Sequence, residues 1–581
     1  MNKLLKMAGL LAVVMLLALT VAAQDTDVAP GEGGILVATN FGGDPNNINP
    51  LISNNTVELA LLEFLFPSLY NIDPELNAPM MGGRNDQDNG LATNWEFSDD
   101  GLTITFNLRD DIFWNDGTPV TAFDYKFTFD ALASGETSSP RTQVLQTVDS
   151  VEAPDANTVV VNLSQVSCRV VNELDDFGIL PQHVIEPLID GDFSLIDELE
   201  FNKNPEVTSG VFSFGALVPG EQTSLVNNPD HVIPVAPEGY IVRNVPDQIV
   251  EVEQFLAGEV TSLGTTGGVP QARMAEFRER AANGEFQIFE FVDDGLTFMG
   301  FNLADPTNPQ DGLDEDGNLI DQGHHPLFSD VRVRQAIAQA INYDDIIEGA
   351  AQGEAAQVGA FGSPSLWGYN NDVPLYEFNP EAALVLLEEA GFVDDDNDPS
   401  TPLVATEDAL FAEPGTPFSF ELITNSGNQV REATGTIMQD QLGQIGIEVD
   451  FQTQEFGALV ERLLGQEYDA IIIGFTNIAP DTDARNTLTP VGDTVGGGFN
   501  FVSYSNPEVT ELYNRAASLP GCALEERQEL YHDISLILNE ELPWLWLFAP
   551  NVMYAEQNSV SNWNPFAETR YANMADIALT P

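Results

Sequence analysis

The 581-residue chain is short of basic residues: 20 Lys and Arg stand against 91 Asp and Glu, for a formal net charge of −71. Only four of the basic residues are lysines. A field of that sign repels phosphate backbones and anionic lipid, which excludes nucleic acid as a partner. Cysteine is nearly absent, with Cys168 and Cys522 alone. Their separation leaves a disulfide and two unpaired thiols equally open. The five histidines (His183, His231, His324, His325 and His532) fall in no metal-ligand spacing such as H-E-x-x-H. There is no G-x-S-x-G elbow around any serine. Acids are so abundant that a glycosidase-like pair arises by chance, and none stands out. Nothing here supports an enzyme, and no cofactor is expected.

Long apolar runs are missing too, except at the start. Lys3 and Lys6 precede the apolar stretch Met7 to Thr20, and Val21-Ala22-Ala23 supplies the small residues of a cleavage site before Gln24. Residues 1–23 therefore read as a secretory signal peptide. No cysteine lies nearby to form a lipobox, so the expected location is extracytoplasmic without a lipid anchor. The rest is too long for one core and predicts several lobes.

What is present is alternating pattern. "LTITFNL" and "TVVVNL" have period two and read as half-buried strands. "YIVRNV" followed by "PDQIVEVEQFLAGEV" predicts a strand and then a helix with Pro246 near its start. Asn379 before Pro380 is an N-cap with proline in the first turn, and Gly391 ends that helix. "FSFELIT", "VREATGTIMQDQLGQIG", "IEVDFQT", "FGALVERLLGQ" and "YDAIIIGF" then predict a βαβαβ unit with a parallel sheet. Leu530, Tyr531, Ile534, Ile537 and Leu538 share a helix face, and "PWLWLF" predicts a buried strand. Two α/β regions joined near "FVDDGLTFMGFN" and "IIIGFTNIAPDTD" would leave a cleft, the usual place for a ligand.

Three stretches invite chemistry. In "FNLRDDIFWNDGTP" the acids are explained by a turn over Asn115–Pro119. In "DGLDEDGNLID" Asp314, Asp316, Asn318 and Asp321 surround Gly317 as calcium-loop oxygens would, but Gly312 and Gly323 stand at the first and twelfth EF-hand positions. Solvated acidic turns are expected there, and equally in "DDDNDP". Trp367 and Phe475 sit where apolar sequence opens into polar, glycine-rich sequence, and Asp481 and Asp483 follow in "APDTD". A carboxylate at such a cleft mouth takes an ammonium group by a charge-assisted hydrogen bond; an Asx-turn is the plain alternative.

Nearly the whole mature length resembles the family 5 extracytoplasmic solute-binding proteins of ABC importers, the dipeptide-, oligopeptide- and nickel-binding type. The resemblance rests on "GGDPNNINPL", "LATNWEFSDDGLTITFNLRDDIFWNDGTPVTAFDYKFTFD", "FSDVRVRQAIAQAIN" with Ser329 as N-cap, "IGIEVDFQ", "YDAIIIGF" and "FNFVSYSNPEVTELYNRA", in the family order. It implies a two-lobe α/β fold closing over a solute. Lobe I would comprise 24–65, 205–290 and 490–581, with 66–204 inserted as a subdomain, and lobe II 291–489. It also implies a monomeric receptor that hands a small solute, a peptide by preference, to an ABC permease. Asp481 or Asp483 would then take the ligand ammonium, Phe475 would cover it, and the Asn40-Phe41-Gly42 backbone would pair with the peptide. Phe298, Trp367 and Asn500 complete the expected ligand-binding set. The sequence departs from the family pattern at Phe475, where tryptophan is frequent, and at Ile478, where the family aspartate stands. The rivals are the same fold binding a metal chelate, an opine or an oligosaccharide, a secreted hydrolase, and a sensor subunit.

Overall fold

Strand β1 (Ile35–Asn40) buries Leu36 and Ala38 on one face, as its alternation requires. The computed structural model describes residues 30–579 apart from 41–42, 54, 74–77, 81–89, 175–176, 265–267, 397, 399–400, 477, 479, 568–569 and 572. The expected signal, 1–23, and the candidates Phe41 and Gly42 lie outside the described residues. Helix α1 (Thr56–Leu65) begins at Asn55, whose side chain accepts from Val57 N–H, and Glu58 completes a capping box.

Strands β2 (Ala92–Phe97), β3 (Thr103–Leu108), β4 (Val148–Asp155) and β5 (Thr158–Leu163) make an antiparallel sheet in the order β2-β3-β5-β4. Helix α2 (Ala122–Ala133) packs on it. Between β3 and α2, Asn115–Pro119 is the expected turn. Gly117 adopts φ +87°, Thr118 N–H donates to Asp116 Oδ1 at 2.9 Å, and Trp114 N–H donates to Thr118 O at 2.8 Å. The chain returns through β6 (Phe212–Val218), β7 (Gln222–Asn227) and β8 (Gly239–Asn244), giving a second sheet ordered β1-β8-β7-β6. Helix α3 (Gln248–Leu256) follows, capped by Asp247.

Strand β9 (Phe286–Val292) leads to β10 (Leu296–Phe301). Helix α4 (Val331–Ala340) is capped by Asp330, whose side chain accepts from Arg332 N–H, and not by Ser329. Ser329 instead donates to Leu303 O at 2.6 Å. Helix α5 (Pro380–Glu389) has the expected Asn379 cap. The predicted βαβαβ unit is present as β11 (Ser419–Asn425), α6 (Gln429–Gly443), β12 (Glu448–Gln454), α7 (Phe456–Leu464) and β13 (Ala470–Phe475), with β11 parallel to both other strands. Helices α8 (Pro507–Ala517) and α9 (Leu524–Glu541) precede β14 (Trp544–Gln557), whose fourteen residues run well past "PWLWLF". The large sheet runs β9-β14-β10-β13-β11-β12, and Ala355–Gln357 also pairs with β14.

Apolar packing divides the chain into bodies. One cluster holds buried residues from Leu296 to Ala549. A second joins Leu36 through Val242 to Val560 through Ile577, and a third holds Val252 through Phe286 with Met553 and Ala555. The expected boundary at residue 490 falls within the span of the Leu296 cluster. Phe501, Tyr513, Ile534 and Trp544 pack in the Leu296 cluster, and the chain rejoins the first body only after Ala549. The inserted β2–β5 sheet shares the β1 cluster and has no separate core. Cys168 and Cys522 are joined in a disulfide, with Cα atoms 5.2 Å apart across 354 residues of sequence.

Candidate functional site

The carboxyl ends of parallel strands are where an α/β sheet exposes loops to a ligand. Here β11 ends at Asn425 and β13 at Phe475, and the segment after Phe475 carries both candidate aspartates. Phe475 is half-buried and packs its ring on Phe298 at 5.6 Å between centroids. With Phe361, Thr476, Ile478, Asp481, Thr482, Asp483 and Thr487 it lines a cavity of about 140 Å³.

The two aspartates have different fates. Asp481 forms a buried ion pair with Arg527 of α9, and their side chains are 2 % and 6 % exposed. Arg527 also donates to Tyr531 Oη at 3.0 Å and Ala516 O at 3.2 Å, and its guanidinium lies 5.3 Å from the Trp367 ring centre. Asp481 is thus neutralised from within the protein. Asp483 has a side chain only 2 % exposed, and its Oδ1 accepts from Arg485 N–H at 3.0 Å. Among the described residues its Oδ2 has no hydrogen-bond partner, and the Arg485 guanidinium stands 3.6 Å away, beyond hydrogen-bonding range. Burial, then the charge of Asp481, raises the Asp483 pKa above the ordinary carboxylate range. An oxygen left this way costs stability until a donor reaches it.

A cation absent from the sequence-derived set lies at the same edge. Arg431 is half-buried in the first turn of α6, and its Nη1 donates to Asn425 Oδ1 at 3.0 Å. Burial lowers its basicity. The guanidinium runs across bare Gly474, where a Cβ would lie 3.1 Å from Nη2 and 2.5 Å from Leu296 O. A cation in the first turn of a helix opposes the helix dipole, and that odd placement is the signal the sequence carried.

The remaining candidates separate. Phe298 is 0 % exposed and stacks on Trp544 with centroids 3.8 Å apart, so it is core under Phe475 and presents no surface to a solute. Trp367 is buried beside Arg527, accepting at its carbonyl from Gln528 Nε2 at 2.5 Å. Its indole N–H has no partner. Asn500 is a loop staple: its amide donates to Thr489 O at 2.9 Å and Tyr504 O at 2.8 Å, and its Oδ1 accepts from Tyr504 N–H at 3.1 Å. It has no amide hydrogen left to offer a ligand. Asn40 closes β1 on the other body, with its carbonyl accepting from Val245 N–H at 2.8 Å and its amide donating to Gly43 O at 2.7 Å.

In the proposed calcium loop, Asp314 Oδ1 accepts from Asp316 N–H at 2.9 Å and Asn318 N–H at 2.8 Å. Its own turn therefore consumes that carboxylate, with Asp316, Asn318 and Asp321 exposed around it. Among the described residues, no group of three or more acids, histidines or cysteines converges as metal ligands.

Comparison with known proteins places this geometry in a family. Residues 87–493 match the model for bacterial extracellular solute-binding proteins, family 5. The oligopeptide-binding protein AppA of Bacillus subtilis is 26 % identical over 535 residues, covering 90 % of this chain and 87 % of that protein. Its structure in complex with a nonapeptide superposes with a TM-score of 0.65 at 25 % identity, covering 95 % of this chain and 100 % of that one. The structure of HbpA2 from Haemophilus parasuis superposes with a TM-score of 0.75 at 20 % identity, covering 94 % and 100 %, and shares the fold. The match across 87–493, carried by the two-lobe α/β architecture around it, makes this chain a member of the bacterial extracellular solute-binding proteins, family 5.

Proposed function

We propose that this protein is the extracytoplasmic receptor of an ABC importer, binding peptides between its lobes as a monomer and delivering them to a membrane permease. The observation that carries the peptide reading is Asp483 Oδ2, a buried carboxylate oxygen without a hydrogen bond, in a cavity shared with Phe475. A peptide α-ammonium supplies the missing donors, and the aromatic ring covers its first residue. Arg431 is the complementary group, taking a carboxylate of the same solute in a bidentate contact. The oligopeptide-binding relative supports the same ligand class. Binding does no chemistry on the solute: closure of the lobes selects the solute-bound state, which the permease reads.

Mass spectrometry of solute released from the purified protein tests this reading. Peptides are the expected result, and they are recovered uncleaved after prolonged incubation. A metal chelate or an oligosaccharide as the sole released solute, or catalytic turnover of added peptides, overturns it.

A further inference from the structure

The backbone passes twice between the body spanning Leu296 to Ala549 and the rest of the chain. One is the turn Asp293–Gly295 between β9 and β10, and the other is β14 around Pro550. Both β9 and β10 pair with β14, and Asp293 N–H donates to Pro550 O at 2.8 Å, so the two crossings lie side by side. Two adjacent strands form a narrow hinge, about which packed bodies rotate with little internal change.

The disulfide is a third covalent crossing, placed elsewhere. Cys168 precedes Val170 and Val171, which belong to the β1 body. Cys522 lies between α8 and α9, whose Tyr513 and Tyr531 belong to the Leu296 body. Cys168 N–H donates to Ala517 O at 2.7 Å, and its sulfur lies 3.3 Å from Leu519 O. Among the described residues, no hydrogen bond joins either cysteine to β9, β10 or β14. A disulfide tolerates Cα separations of about 4.4–6.8 Å, which leaves roughly 2 Å of play. Rotation of one body against the other must then keep Cys168 and Cys522 within that reach, or stretch the bond.

We infer that the Cys168–Cys522 disulfide is an interlobe tether that limits how far the cleft opens and slows the exchange of solute. The segment it holds borders the candidate site: Cys168 N–H meets Ala517 O, and the adjacent Ala516 O accepts from Arg527, the partner of Asp481. Family members lacking such a crossing would open about the hinge strands alone.

The test uses the full-length protein stripped of solute, so it does not depend on what the solute is. Small-angle scattering compares the oxidised parent with the Cys168→Ser/Cys522→Ser double variant. The parent reduced by a phosphine, which ends as its oxide while both sulfurs become thiols, is measured alongside and serves alone if the variant does not fold. The tether predicts a larger radius of gyration without the disulfide, at unchanged far-ultraviolet dichroism. It also predicts release of a fluorophore-labelled nonapeptide at least about fivefold faster. An unchanged radius of gyration in folded, disulfide-free protein overturns the inference. Absence of nonapeptide binding by every form counts against the peptide reading and leaves the scattering result to decide the tether.

Discussion

The guanidinium of Arg527 closes over the carboxylate of Asp481, two residues before an aspartate whose Oδ2 has no hydrogen bond. The first carboxylate is paired with a buried cation, while the second keeps one oxygen without a hydrogen bond among the described residues. Breaking a buried pair leaves its partner as an uncompensated charge, at a cost of about 3–5 kcal/mol. Asp481→Asn is therefore expected to lower the denaturation midpoint by an amount of that order, measured by chemical unfolding. A near-parental midpoint would show that the pair contributes little.

Asp483→Asn is expected to behave in the opposite way. It removes a buried charge lacking a full partner, so stability is retained or rises. Peptide affinity falls, by about 1.5–3 kcal/mol for a lost charge-assisted hydrogen bond. Calorimetry with free and N-acetylated peptides checks this: acetylation should weaken binding to the parent and make little difference to the variant.

The ionised form of Asp483 is the one that attracts an ammonium group. Its pKa is raised by burial and by Asp481, so protonation sets in at higher pH than for an ordinary aspartate near about 3.9. Peptide affinity is expected to decline as pH falls through that raised value. The Asp483→Asn variant should lack this component, which a titration of Kd against pH in both proteins will reveal.

Arg431→Gln is expected to weaken binding of peptides with a free C-terminal carboxylate and to leave the corresponding amides nearly unaffected. The double comparison separates loss of a charge contact from loss of packing over Gly474. Equal losses for acid and amide would assign Arg431 to scaffold.

Glu556, 0 % exposed, accepts from Ser262 Oγ at 2.5 Å and lies 3.8 Å from Arg570, and burial pushes its pKa up to about 7. Between the ordinary glutamate value of 4.5 and about 7, the folded protein holds a proton that the unfolded chain has released. This group's contribution therefore favours folding at the lower end of that window and is lost as pH rises through it. Glu556→Gln keeps a neutral side chain throughout, so its Tm relative to the parent should increase from pH 5 to pH 7.

Local features of this fold were legible because their causes are local. Asn379 before Pro380, the period-two runs of β3 and β5, and the β11-to-β13 alternation each express a constraint within a few residues. The fate of Asp481 was not legible, because its partner Arg527 is 46 residues away and meets it only once α9 is docked. The same holds for the pairing of Cys168 with Cys522. Asn500 and Phe298 were expected in the ligand-binding set. Burial assigned one to a loop's backbone and the other to an aromatic stack. The extent of β14 escaped because one strand serves two bodies, and sequence pattern does not mark where packing changes partners.

That shared strand has a consequence for how the chain comes into being. The body begun at Leu36 needs Trp563, Tyr571 and Ile577 to complete its core, while the other needs Trp544 through Ala549. Neither core is complete until the segment that begins at Trp544 is in place. Contacts between sequence-distant segments also form slowly. A chain of this design keeps both cores incomplete for most of its length.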